Sequence, residues 1–119
     1  MAKINMKLEV VKVLDSVTAL ADFSTDYPKE MTVFPYAVYR TTATPHFIDG
    51  ERIEVQTKWM VLIEIYGSKS VSSVASSIYN GMRELGFQVT QRDSNVAGLF
   101  RIVLECNGIV DNTMKQIYL

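Results

Sequence analysis

The chain has 119 residues, 48% of them hydrophobic and 21% charged, with a formal net charge of -1. That length suits one domain around one core, and the near-neutral balance excludes a highly charged disordered chain and a strongly basic nucleic-acid binder. Cys106 is the single cysteine, so no internal disulfide can form and nothing calls for an oxidising compartment. The N-terminal MAKINMKLEV lacks the apolar core of a signal peptide, and the longest strictly apolar run, Trp59 to Ile63, is too short to span a bilayer. The expectation is an intracellular chain that does not insert into a membrane.

Leu8, Val11, Leu14, Val17 and Leu20 recur at helical spacing with Lys7, Lys12 and Asp15 elsewhere around the turn, which predicts an N-terminal amphipathic helix. The β-branched Val10, Val11 and Val13 leave a strand as the competing reading. From Ala21 to Pro35 the residues Asp22, Ser24, Thr25, Asp26, Pro28 and Pro35 favour turns, so this stretch reads as a loop. Tyr36 to Thr44, rich in aromatic and β-branched residues, reads as a strand, followed by a connection through Pro45 to a reversal at Asp49-Gly50.

The clearest pattern follows, over Glu51 to Tyr66. Ile53, Val55, Thr57, Trp59, Val61, Ile63 and Ile65 alternate with Arg52, Glu54, Gln56 and Lys58, the signature of a half-buried strand. Met60 and Leu62 then replace the polar residues before Glu64, so the later half of the strand is apolar on both sides and needs cover on both faces. Gly67, Ser68 and Ser70 lead into Val71, Val74, Ile78, Met82 and Leu85, a helix closed by Gly86. Phe87 to Arg92 and Leu99 to Cys106, joined through Asp93-Ser94-Asn95 and Gly98, read as a second hairpin. The tail from Asp111 to Leu119 has no evident place in the pattern. The expected fold is α+β in the order α-β-β-α-β-β, a four-stranded antiparallel sheet with two helices packed on it.

A strand from Glu51 to Tyr66 would span on the order of 50 Å, whereas a compact chain of this length has a radius of gyration of roughly 13 to 14 Å and a width of about 35 Å. The strand therefore either bends or projects as a long hairpin arm. Its polar half suits projection, and Ile53 and Val55 on the arm would then pack on a neighbouring molecule.

The residues offer little chemistry. With His46 the single histidine and no spaced carboxylate loop, neither a metal site nor a cofactor is expected. Cys106 continues the apolar face of Phe100, Ile102 and Leu104 and reads as core, although a Cys106/His46 nucleophile pair is the enzymatic alternative. The scattered glycines form no phosphate-binding loop. The aromatics from Tyr27 to Tyr39 have too little positive charge beside them for base stacking.

The stretch VFPYAVYRTTATPHFIDGERIEVQTKWMVLIEIYGSKS, the helix ending in MRELGF and the hairpin QVTQRDSNVAGLFRIVLEC resemble the tail terminator, or tail-to-head joining, proteins of long-tailed bacteriophages and prophages. The likeness covers about two thirds of the chain and lies in the order of elements and their local texture rather than in a signature motif. The resemblance implies a virion structural protein without enzymatic activity. It implies partners too: copies of itself in a ring, commonly a hexamer, the tail tube protein, the head connector, and genome DNA passing through the lumen without sequence-specific contact. Its location would be the virion at the head-tail interface, after assembly from the host cytoplasm. On this reading the residues expected to meet neighbours are Phe47, Ile48, Asp49, Arg52, Ile53, Glu54 and Val55 on the hairpin and Ile117, Tyr118 and Leu119 in the tail. The competing expectation is a small-molecule-binding or regulatory α+β domain with a pocket between sheet and helices.

Overall fold

A computed structural model describes residues 5–30, 32–51, 54–113 and 116–118, with the side chains of Gln116 and Tyr118 left aside. The fold is α+β, with two helices on one face of a mixed sheet. Helix α1 spans Met6–Ser16, and the Asn5 side chain caps it by accepting from the Lys7 amide at 3.0 Å. Met6, Val10 and Leu14 form its buried face. The predicted stripe is thereby corrected, since Leu8 is 62% exposed. Residues spaced strictly three apart fall about 60° short of a full turn at each step and wind around the helix, whereas steps of four and three hold one face.

The expected four-stranded antiparallel sheet is also corrected. The strands are β1 (Asp22–Ser24), β2 (Tyr36–Ile48), β3 (Glu54–Gly67), β4 (Gln88–Asp93), β5 (Phe100–Asp111) and β6 (Gln116–Tyr118), in the order β1-β2-β3-β5-β4 with β6 also on β5. β1 lies in the segment expected to be a loop and pairs parallel with Tyr36 to Val38 at the start of β2. β4 meets β5 over Ile102 to Asn107 and β6 meets it over Ile109 to Asp111, so these two strands share one edge of β5 end to end. The tail residues that lacked a place in the pattern thus complete the sheet.

Between the strand hairpins, α2 (Ser72–Glu84) buries Val74, Ile78 and Met82 as its spacing predicts and Ala75 beside them, and Gly86 follows it at a φ of 108°. The helices approach closely at Gly81, where an added Cβ would stand 2.7 Å from a Val13 methyl. Together they cover the odd-numbered face of β3, where Trp59, Val61, Ile63 and Ile65 join Ile102, Leu104 and Cys106 in the main core. Burying such branched apolar side chains contributes about 1.5 to 3 kcal/mol each. On the opposite face, among the described residues, Tyr36, Val38 and Tyr66 cluster with Phe34 and Leu99 near one end.

The molecule measures 52 × 27 × 22 Å with a radius of gyration of 15.4 Å, above the roughly 13.5 Å of a compact chain this size. Elongation accounts for most of the strand-length conflict. β5 runs on to Asp111, beyond the expected end at Cys106, and accompanies β3 as far as Gln56. Gln56 and Lys58, expected on the arm, therefore lie within a three-stranded region, and among the described residues the paired strands pass beyond the β5 ladder at Ile48, Glu54 and Val55. Arg52, Ile53 and Leu119 lie outside the described residues.

Candidate assembly surface

The ribbon tip is built by a strand that does not break where its sequence suggests. Pro45 stays within β2, paired opposite Thr57, and the register shifts come after it, between Pro45 and Phe47 and between Phe47 and Ile48. A proline is tolerated in a strand when its nitrogen faces an open edge. The Pro35 carbonyl accepts from the Ala21 amide at 2.8 Å and so faces β1. Across the trans peptide the Tyr36 N–H then faces β3, and alternation along the unbroken register to Pro45 turns the odd-numbered backbone groups of β2 outward. Pro45 costs the β2–β3 ladder nothing.

Beyond the shifts Phe47 and Ile48 are each 53% exposed, while Asp49 closes the turn by accepting the Glu51 amide at 2.9 Å. Asn112 fixes the root of the ribbon. Its backbone N–H donates to the Val55 carbonyl at 2.8 Å, and its side-chain amide donates to the Glu54 carbonyl at 3.1 Å and the Thr57 hydroxyl at 3.0 Å. Thr57 donates in turn to the Glu54 carboxylate. Of the residues expected to meet neighbours, Phe47 and Ile48 are thus presented at a tip, and Glu54 and Val55 serve to anchor it. Ile117 is half-buried against the main core, its side chain close to Gly86 and Gly108, at the other side of the sheet. The backbone of Tyr118 pairs with Ile109, and β6 as a whole is a sheet strand rather than a free tail.

At the far end of β3 stands a polar cluster that the sequence pattern did not reveal. Glu64 is 6% exposed on the face away from the helices. It accepts from the Tyr66 hydroxyl at 2.6 Å and from Tyr27, and Arg101 lies 3.5 Å away. Burial pushes the Glu64 carboxyl up, but the two tyrosine hydroxyls and the Arg101 charge outweigh it and hold it below the usual carboxylate range. The Tyr66 hydroxyl is driven upward by burial and by its bond to Glu64. Arg40 sits over the Tyr27 ring at 5.0 Å, so Tyr27 is tied to β2 and β3, and through Glu64 to Arg101 of β5. Lone polar residues within apolar stretches, Glu64 and Arg101, were the one available signal.

The proposed nucleophile pair is not brought together. Cys106 is fully buried in a cross-sheet row with Val61 and Thr41, and His46 lies ~16 Å farther along β2. Desolvation pushes the Cys106 thiol up to about 12, far from a reactive thiolate. Among the described residues no group of three or more His, Cys, Asp or Glu side chains is placed to hold a metal ion. Nor is any helix long and apolar enough to cross a membrane. The chain matches no family model, and no curated protein matches it.

Proposed function

We propose that this chain is a ring-forming structural subunit of the tail terminator type, which caps a phage tail tube and docks it to the head connector. The observation that carries the reading is the ribbon tip, where Phe47 and Ile48 stand exposed on a root fixed by Asn112. Exposed apolar side chains on a braced projection suit insertion into a neighbouring subunit. The elongated sheet supplies the rigid wall that a heterologous ring contact needs. The resemblance in element order supplies the particular assembly, with a hexamer as the expected closure, the tail tube and head connector as the partners above and below, and DNA in the lumen. On this reading the chain acts in the virion and has no catalytic role.

The test removes residues 47–52 and replaces them with a short turn. The expected product is a folded protein that no longer restores head joining to tails lacking this subunit. Joining at the original level would overturn the arm's role.

A further inference from the structure

We propose that copies of this chain join edge to edge through their sheets, with β4 of one copy adding to β2 of the next. The proposal deepens the ring reading and rests on it in taking the partner to be another copy of the same chain. β1 pairs with β2 only as far as Val38, and among the described residues no strand covers the rest of that edge. The alternation established above leaves the Tyr39 carbonyl, both backbone groups of Thr41 and Ala43, and the Pro45 carbonyl facing outward. At the other side of the sheet, the Ser94 N–H donates to the Arg101 carbonyl at 2.8 Å, so the even-numbered residues of β4 face β5. Val89, Gln91 and Asp93 therefore turn their backbone groups outward.

These two edges fit each other. β2 is antiparallel to β3, β3 to β5 and β5 to β4, so β4 runs opposite to β2, and two copies in the same orientation side by side bring the strands together antiparallel. Thr41 can exchange both bonds with Gln91, and Ala43 with Val89, while the Asp93 N–H reaches the Tyr39 carbonyl. Pro45, which has no N–H, ends the pairing. Side-chain faces agree as well. Tyr39 and Val89 are buried on the helix side of their own sheets, and Thr42 and Thr90 are exposed on the other. The fold already divides one edge of β5 between β4 and β6, and the incoming strand would divide the edge of β2 with β1 in the same way. Repeating the contact around an axis closes the open stretch of β2 and the β4 edge in every copy. The register also sets Arg40 opposite Arg92 on the outer face, a like-charge pair that weakens the joint at low salt.

Cysteine pairing tests this directly. Thr42 and Thr90 would be directly opposed, about 4.5 Å apart at Cα, within disulfide reach. Thr42→Cys mixed with Thr90→Cys should give a disulfide-linked dimer on mild oxidation. The double variant should give a ladder of multimers, and linking should rise from low to moderate salt. Neither single variant should link to itself, and Ser76→Cys on exposed α2 should link to Thr42→Cys at least tenfold more slowly. Adding Thr41→Pro, which removes an outward N–H and leaves the bonds to β3, should cut linking about tenfold or more. Self-linking of either single variant, linking no faster than the Ser76→Cys control, or linking undiminished by Thr41→Pro would each overturn the proposal. If the unmodified chain is oligomeric by mass yet the pair does not link, the edge joint fails and the ring survives on another contact. A chain monomeric at every concentration with no link would remove both.

Discussion

The two ends of the β2–β3 pair contain the same kinds of residue and live in different surroundings. At the Tyr36/Tyr66 end both faces are covered, the inner by the helices and the outer by Tyr27, Phe34 and Leu99. Glu64 is buried there among Tyr27, Tyr66 and Arg101. At the Ile48/Glu54 end both faces meet solvent, Glu54 accepts from Thr57 at the ribbon root, and Phe47 and Ile48 are exposed. One continuous strand pair thus serves as core at one end and as contact surface at the other. What changes along it is the layer of chain packed over it, together with the outer-face residues of β3, polar at Gln56 and Lys58 and apolar at Met60 and Leu62.

The largest effect should come from the covered end. Ile63 is fully buried between the sheet and the helices, and Ile63→Ala should lower unfolding free energy by about 3 to 4 kcal/mol. Val55→Ala, on the same face but half-buried near the ribbon root, should cost below about 1 kcal/mol. Denaturant titration of the two variants measures the contrast directly. Equal losses would mean that the root of the ribbon is as tightly packed as the core.

Next comes the buried carboxylate. Glu64→Gln keeps the shape but gives up a charge-assisted site, and should cost about 2 to 3 kcal/mol at neutral pH. Because the folded Glu64 titrates below its ordinary value of 4.5, its contribution is complete above that value and is lost as pH falls through the lower folded value. Stability of the parent should therefore fall on the acid side, and the Glu64→Gln variant should show a flatter acid limb. Matching slopes would exclude Glu64 as the group that couples this end of the sheet to pH.

How much of this was legible follows the same division. The β3 alternation was legible because its inner face is covered from Thr57 onward, so burial tracks parity from Thr57 to Ile63. The α2 stripe was legible for the same reason. β1 and β6, three residues each, are too short to develop a period and owe their pairing to what lies beside them. Pro45 argued for a break only while the edge it sits on was unknown. The α1 stripe was misassigned because that segment is dense in valine and leucine, so that two different spacings both found apolar residues. The tip residues Phe47 and Ile48 were named from the resemblance, which singled out the hairpin around Asp49-Gly50. The Glu64 cluster escaped because its members come from three separate stretches of chain.

Asn112 connects the two regimes, since just past the end of β5 it bonds the root of the ribbon. Asn112→Ala removes two side-chain hydrogen bonds and should cost about 1 to 2 kcal/mol. Amide exchange at Glu54 and Val55 should accelerate by more than the global loss of stability requires, while exchange at Ile63 should follow the global loss alone. Uniform acceleration would mean that the ribbon opens only when the whole sheet does.

The smallest effect on folding is expected at the tip itself. Phe47→Ser and Ile48→Ser replace side chains that are already half exposed, so each should change stability by no more than about 0.5 kcal/mol. If the tip existed to shield part of its own molecule, these variants would unfold more readily. If it exists to enter another, they would melt like the parent, gain solubility and lose tail-to-head joining. Joining activity therefore separates the two ends of the strand pair more sharply than any unfolding measurement: Ile63→Ala should impair it only as far as it lowers the folded fraction, whereas Phe47→Ser should abolish it in protein that is fully folded. Retained joining by both tip variants would leave the ribbon as no more than an exposed extension of the sheet.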